Sequence, residues 1–444
     1  MRTPTTNWTG RLHFTPARVV RAISEQEVAE QLARATRAGA EVRPIGSGHS
    51  FSPLAVTPGV MVTVTTMSGL VGMDEQTGEV TLWAGTPMRD IGGLLAPFGR
   101  ALPTMGDVDA QTIAGAISTG THGTGLAHVG YSAQVTGLRL ALPSGDLVDV
   151  DAEQDPELFQ AARVGLGLVG IITQVRLRTV PAFNLASEET TEPVESLLEG
   201  FLERARTTDH LEFFWFPGTT RATVKQHRRL APDEDVRPLT RLDRVVQREL
   251  LANRVYGAMC AAASRSRALA GPTREVASRF MAGKAHSDAS HRVFVASRGV
   301  RFDETEYAMP LEAFDSVVRE VERAIVASGE QVTFPFEVRL AAADDTWLGA
   351  ASGRESVYVA VHRYHRDDFD ALLNVVEPVF TAHEGRPHWG KRHTLGADQL
   401  RALYPRFDDF RAVRERVDPT GVLLNDHTRH LVGGFGRPLP NPGV

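Results

Sequence analysis

Residues 43–54 read RPIGSGHSFSPL: two glycines, Gly46 and Gly48, lie just after a β-prone run and just before a histidine and two serines. Glycine tolerates positive φ and allows close backbone approach, so such a loop can wrap its N–H groups around a pyrophosphate. An ordinary tight turn has the same composition, and the surroundings must separate the two. Upstream, Ser24 and Glu27 form an S-x-x-E capping box, Val28, Leu32 and Ala35 share one face, and Gly39 can close the end. This predicts a helix over residues 24–39. The runs 17–23 before it and 41–45 after it read as strands, so the glycine loop ends a strand–helix–strand unit.

Further along, strands are expected at 60–65 and 79–84, followed by a hairpin of 136–142 and 147–151 around Pro143-Ser144-Gly145-Asp146. Asp155 caps a short helix over 156–164, and the β-branched run 171–180 ends at Pro181, where a domain boundary is placed. Beyond it the texture changes. Amphipathic helices are expected at 194–206, 311–328 and 367–381, strands at 292–295 and 356–361, and a charged stretch runs over 228–248. A last helix at 409–417 precedes DPTGVLLNDHTRHLVGG, which either completes the second domain or returns to the first.

The chain has 444 residues, enough for two domains, and a net charge of −6 with both signs interspersed, so no basic face is offered to nucleic acid. The single Cys260 cannot form an internal disulfide, which fits a reducing compartment and points to the cytoplasm. The opening MRTPTTNWTGRLHF has no apolar core and no run of eighteen apolar residues follows, so neither signal peptide nor membrane span is expected.

Several familiar chemistries are excluded by spacing. GLGLVG at 165–170 matches G-x-G-x-x-G, but a helix precedes it and a strand follows, the reverse of a Rossmann site. No P-loop is present, and AISTG around Ser118 lacks the first glycine of a nucleophile elbow. The H-x-x-H pairs His362/His365 and His427/His430 lack companion ligands. His383-Glu384 with His388 is one residue longer than H-E-x-x-H and contains Gly385 and Pro387, so no catalytic metal is expected.

Three further stretches carry chemistry. TIAGAISTGTHGTG at 112–125 has almost no side-chain bulk, and suits either a flat phosphate-bearing ligand or a tight interior backbone crossing. In QVTFPFEVRLAA strand alternation puts Glu337 and Arg339 on one face, as a recognition pair for substrate hydroxyls or as a structural ion pair. In RPHWGK, residues 386–391, Lys391 is either a fixed cation in a pocket or a solvated lysine.

Together these motifs, from NWTG at Asn7 to DPTGVLLN at Asp418, resemble the aldonolactone oxidoreductase and alditol oxidase branch of the vanillyl-alcohol-oxidase-type flavoproteins. That branch includes L-gulono-1,4-lactone and D-arabinono-1,4-lactone oxidases and plant galactonolactone dehydrogenases. The resemblance implies an α+β fold: a two-subdomain FAD-binding domain (1–180), a cap domain with a large antiparallel sheet (181–395), and a segment (396–444) returning to the first domain. It implies FAD bound by Arg43, Pro44, Gly46, Ser47, Gly48 and Ser50, with an 8α bond through His49, where some relatives carry Leu and bind FAD noncovalently. It further implies that Ser118, Thr119, Gly120, Thr121, His122, Gly123, Gly125, Gly165, Gly170 and Ile172 line the cofactor. Glu337, Arg339 and Lys391 are implied as catalytic, with Ser118 and His388 beside them at the substrate. The implied reaction is oxidation of a sugar-acid 1,4-lactone at C2 to an ascorbate-like product, with O₂ or another acceptor reoxidising the flavin. The alternative is oxidation of an alditol to an aldose.

Overall fold

Residues 5–244, 254–280, 282–295 and 299–433 are described by the structure, a computed structural model. Strands β1 (Arg18–Arg21), β2 (Val42–Pro44) and β3 (Val60–Thr63) make a parallel sheet in the order β1-β3-β2. Helix α1 (Glu25–Ala38) crosses from β1 to β2 where the capping signal placed it. The Ser24 side chain accepts the Glu27 N–H at 3.2 Å, the Glu27 carboxylate accepts the Ile23 N–H at 3.0 Å, and Gly39 closes the helix in the left-handed region at φ 62°.

A second, antiparallel sheet follows. It comprises β4 (Leu70–Met73), β5 (Val80–Trp83), β6 (Val135–Ala141), β7 (Leu147–Asp151) and β8 (Ile171–Leu177), in the order β7-β6-β8-β5-β4. Helix α2 (Ile113–Ser118) lies between β5 and β6 in sequence, and α3 (Pro156–Arg163), capped by Asp155, leads toward β8. The hairpin β6-β7 turns at the expected residues.

The largest sheet has eight antiparallel strands among the described residues: β9 (Asn184–Pro193), β10 (His210–Trp215), β11 (Arg221–Arg229), β12 (His286–Ala289), β13 (Phe302–Pro310), β14 (Phe336–Ala341), β15 (Ser356–Tyr364) and β16 (Arg386–Pro387). Their order is β12-β9-β11-β10-β14-β15-β13-β16. Helices α4 (Val194–Thr207), α5 (Phe314–Ser328) and α6 (Phe369–Ala382) pack on one face. Phe201 of α4 meets Phe213 of β10 at 4.8 Å between ring centroids, and Tyr307 of β13 stacks on Phe380 of α6 at 4.9 Å. Because strand side chains alternate, Glu304 and Glu306, the even-numbered neighbours of Tyr307, point to the other face, toward the N-terminal sheets. There the 112–130 segment joins the large sheet edge-on: Gly125 N donates to Leu340 O at 2.8 Å and Ala342 N to His128 O at 3.0 Å.

Two elements differ from the sequence reading. The expected strand over 292–295 is instead the end of a short helix, Ser290–Val293, because burying Val293 and Phe294 beneath the sheet outweighs β propensity. Of the charged stretch 228–248, Arg228 and Arg229 end β11, Arg241–Arg244 form one helical turn, and 245–248 lie outside the described residues. No helix among the described residues is long and apolar enough to cross a membrane.

Helices α7 (Phe407–Val417) and α8 (Asp426–Val432) close the chain against the N-terminal region. Val42 N donates to Val422 O at 2.8 Å, and the Asn425 amide donates to the carbonyls of Pro53 and Val56 at 2.9 and 2.7 Å. Arg43 is the fastening point. Only 1 % exposed, its guanidinium donates to the carbonyls of Leu54 at 2.6 Å, Leu166 at 2.7 Å, Gly167 at 3.2 Å and Leu423. Burial lowers its pKa to about 10, which leaves it charged at neutral pH. Arg43→Met would keep the volume and strand these carbonyls. We expect a loss of about 3 kcal/mol or more, read from the denaturant midpoint. A loss under about 1 kcal/mol, the worth of a single ordinary hydrogen bond, would show that the carbonyls have other partners.

Candidate functional site

Five successive backbone N–H groups, those of residues 46–50, donate to no acceptor among the described residues. The loop carrying them is instead held from outside through its carbonyls and its far end. Trp8 N donates to Gly48 O at 2.8 Å, the Asn7 amide to Ser50 O at 3.1 Å, and Phe51 N to Gly390 O at 2.7 Å. Gly48 takes φ 70°, and a Cβ on Gly46 would stand 2.4 Å from Thr112 Oγ1, so neither position admits a side chain. The loop that carries these N–H groups lines a cleft. Its opposite walls are Ser118 and Thr119, at the end of α2, and Gly165, Gly170 and Ile172, at the start of β8.

A second chamber opens from this cleft, sharing His49, Ser50, Gln111 and Thr119 with it. Its roof is aromatic. Trp8 stacks on the His49 ring at 5.7 Å and 23°, and Phe51 and Phe302 stack at 5.9 Å. Its floor is the free face of the large sheet, where alternation on β14 brings Glu337 and Arg339 side by side and alternation on β13 does the same for Glu304 and Glu306.

Every one of these charges is paired. Arg339 holds Glu337 and donates through Nε to Glu212 at 2.7 Å, with Asp107 at 3.5 Å, while Lys225 meets the other oxygen of Glu212 at 3.0 Å. Lys391 Nζ pairs with Glu304 and lies 5.0 Å from the Phe51 ring. His122 Nε2 stands 3.3 Å from Glu306. The loop bearing Lys391 hangs from β13 itself: His388 N donates to Glu306 O and Arg392 N to Glu304 O, both at 2.9 Å, and the buried Trp389 indole anchors it to Leu348 O at 2.7 Å.

Burial pushes Glu304 up, but Lys391 and His362 outweigh it and hold the carboxyl at about 2. Glu212 reaches about 2 in the same way, through Lys225 and Arg339. Burial and then the Lys391 charge lower His49. Burial lowers His388 to about 4, so its ring is neutral at pH 7.

The expected site residues divide into three groups. Pro44, Gly46, Ser47, Gly48, His49, Ser50, Ser118, Thr119, Gly165, Gly170 and Ile172 line the cleft, and Glu337, Arg339, His388 and Lys391 line the chamber. Ser118, expected at both, is on the cleft wall and not on the chamber wall. Arg43 borders the cleft with its guanidinium spent on carbonyls. Gly120, Thr121, His122, Gly123 and Gly125 stand behind both walls. There the crossing reading of the small residues applies, since a Cβ on Gly123 would meet Thr104 Oγ1 at 2.4 Å and one on Gly125 would meet Asp209 O at 2.3 Å. His122 meets the chamber through Glu306 and through the His388 ring, at 6.0 Å between centroids. Sequence reading missed Trp8, Asp107, Gln111, Glu304 and Glu306. The last two were within reach, because RFDETEYAM alternates carboxylates along an apolar strand just as FEVRL alternates Glu337 and Arg339.

Two family models match the chain, "FAD binding domain" over residues 16–151 and "D-arabinono-1,4-lactone oxidase" over residues 175–431. The L-gulono-1,4-lactone dehydrogenase of Mycobacterium tuberculosis is 38% identical over 96% of this chain and 98% of its own length. The L-gulonolactone oxidase of Bos taurus is 29% identical over 94% and 96%, and the alditol oxidase of a Streptomyces species 30% over 98% and 100%. Among solved structures, cholesterol oxidase from B. sterolicum aligns with a TM-score of 0.82 at 17% identity, covering 97% of both chains. That likeness gives the fold: a mixed α+β FAD-binding fold of the vanillyl-alcohol-oxidase type with a large antiparallel sheet.

Four buried histidines set an acid limit on this fold. Burial, the largest cause for each, lowers His210, His388 and His427 to about 4 and His393 to about 3 from an ordinary 6.5. Unfolded chains therefore take up protons first as the pH falls, and stability should decline from about pH 6.5 down to about 4. Thermal melts between pH 8 and 4.5 test this. A melting temperature that stays level down to pH 5 would show that these rings are not held neutral.

Proposed function

The chain belongs to the D-arabinono-1,4-lactone oxidase family of FAD-dependent oxidoreductases, and on that premise we propose that it oxidises a sugar-acid 1,4-lactone of the L-gulono, L-galactono or D-arabinono type at its C2 hydroxyl. The support is the meeting, at His49, of a cradle of unused N–H groups with a chamber of paired carboxylates and cations. We take residues 1–180 as the FAD-binding domain, 181–395 as the cap and 396–444 as the returning segment, and the bonds of Arg43 and Asn425 across that return favour the division.

The residues present fit FAD. Gly46, Ser47, Gly48 and Ser50 would hold its pyrophosphate, Ser118, Thr119, Gly165, Gly170 and Ile172 would flank the rest, and His49 would carry the 8α bond. Bound there, FAD supplies the two-electron acceptor for the substrate's hydride. The chain's own contribution is electrostatic. Glu337 accepts hydrogen bonds from the substrate hydroxyls and takes the proton of the one being oxidised, while Arg339 keeps it aimed. Arg339 and Lys391 supply preorganised positive charge for the negative charge that builds up, each steadied by its own carboxylates. Trp8, Phe51 and Phe302 keep water from the reacting carbon.

A second reading, oxidation of an alditol at a terminal hydroxyl, is favoured by the alditol oxidase relative, whose match spans 98% of this chain. Anaerobic reduction by a panel of lactones and alditols separates the two, and admitting air afterwards tells O₂ from another acceptor. We assign the protein to the cytoplasm on its one buried cysteine.

His49→Ala should abolish the yellow colour that survives acid precipitation. Flavin that still precipitates with the variant would contradict the linkage. Lys391→Met should slow flavin reduction about 10²-fold or more; reduction at the wild-type rate would remove Lys391 from the site.

A further inference from the structure

His49 stands between two residues whose carbonyls are gripped by the segment that opens the chain. Trp8 N donates to Gly48 O at 2.8 Å, and the Asn7 amide donates to Ser50 O at 3.1 Å. That segment is shaped by its own sequence, NWTG. The other end of the Asn7 side chain, Oδ1, accepts from the Thr9 hydroxyl at 2.9 Å and from Arg11 N and Leu12 N at 3.2 and 3.1 Å, while Gly10 turns the chain at φ 77°. The turn is also tied to the cap, because Arg11 Nε pairs with Asp303 of β13 at 2.7 Å.

The His49 imidazole itself takes part in no hydrogen bond or ion pair among the described residues. What lies against it is the Trp8 indole, at 5.7 Å between centroids and 23° between planes. The indole is fixed in turn by two edge-on rings, Phe302 at 5.4 Å and Phe51 at 6.4 Å. The backbone bonds on either side of His49 set where its Cα stands and leave both side-chain torsions open. The flat face of Trp8 restricts them. Burial and the Lys391 charge disfavour a proton on the ring, so it keeps a lone pair to give.

We propose that Trp8 is a positioning residue for covalent attachment of the flavin, holding the His49 ring in the plane from which it forms the 8α bond. The inference rests on the linkage reading above. In that step a His49 ring nitrogen gives the electron pair of the new N–C bond, and the imidazole loses its N–H proton. The 8-methyl carbon loses a proton as well, and the C–H pair left behind reduces the flavin by two electrons. O₂ then takes those two electrons with two protons and leaves as hydrogen peroxide. Trp8 has no place in this electron count. It acts by narrowing the orientations of the nucleophile before the bond forms.

Trp8→Met keeps the backbone N–H and an apolar side chain but has no flat face, and Trp8→Phe restores one. Full-length chains made without riboflavin are given FAD in air, and the flavin that stays with the polypeptide after acid precipitation is followed in time. Trp8 lines the chamber and not the cleft, so W8M should still take up FAD. It should attach it about 10²-fold more slowly than the wild type, as a misplaced reacting group does, and W8F should recover most of the rate. W8M attaching flavin at the wild-type rate overturns the inference. So does a W8F as slow as W8M, because a flat face would then not be what matters. Should W8M take up no FAD, the wild type decides: before FAD is added, the assigned His49 ring protons should be shifted upfield by the indole, and unshifted resonances overturn the proposal. A wild type whose flavin acid releases would sink the linkage reading and this inference with it. An acid-stable wild type beside an equally fast W8M sinks only the inference.

Discussion

Glu212, Glu304, Glu306 and Glu337 are buried together on one face of the eight-stranded sheet, and a buried carboxylate without a partner is too costly to keep ionised. Much of the site's architecture follows from meeting that demand. Arg339 and Lys225 answer Glu212, Arg339 also answers Glu337, Lys391 answers Glu304 and His122 answers Glu306. The partners come from the sheet, from the loop after β16 and from the crossing segment 112–125. The carboxylates therefore fasten three parts of the chain to one another, and the same pairs fix the cations where a reaction can use them.

The cleft and the chamber are held by opposite means. The glycine loop keeps its N–H groups free and is restrained through its carbonyls, by Trp8 and Asn7, and through Phe51 N, by Gly390. The chamber instead pairs Glu304 with Lys391, Glu306 with His122, and Glu337 with Arg339. A phosphate-bearing ligand is bound by donors that lose little by waiting, because backbone N–H groups are neutral, whereas charges buried in a low-dielectric pocket must be compensated before any substrate arrives. Since the loop bearing Lys391 hangs from the backbone of Glu304 and Glu306, and its Gly390 carbonyl in turn accepts from Phe51, the strand under the chamber also positions the loop that carries His49.

The legible part of the sequence was its local chemistry. Ser24 and Gly39 announced the first helix, the turn at 143–146 its hairpin, and the glycines at 46 and 48 the cradle, because each depends on residues a few positions apart. Glu337 and Arg339 were legible as a pair for the same reason. What stayed hidden was long-range. Nothing in positions 301–309 says that β13 lies two strands from β14, so Glu304 and Glu306 could not be brought to the same floor without the sheet order. Likewise, small residues look alike whether a cofactor or another backbone presses on them, and the close approach of Gly123 to Thr104 and of Gly125 to Asp209 is not written in the local sequence. Arg43 sat inside the motif, yet its partners are up to 380 positions away.

The charge balance of the chamber also bears on what enters it. Asp107, Asp109, Glu304, Glu306 and Glu337 line it against Arg339 and Lys391, and His388 stays neutral down to about pH 4. With both cations already engaged, the residual field is negative, and an incoming carboxylate would be desolvated without gaining a free cation. Hydroxyl groups suffer no such penalty, since each can donate to a carboxylate oxygen. A sugar-acid lactone is neutral, and hydrolysis of its ring yields a carboxylate. On the lactone reading, the floor built by β13 and β14 suits the closed ring better than the opened acid, and on the alditol reading it suits a neutral polyol for the same reason. What the lactone and alditol readings share is the absence of charge, and that shared property is what this arrangement of carboxylates selects.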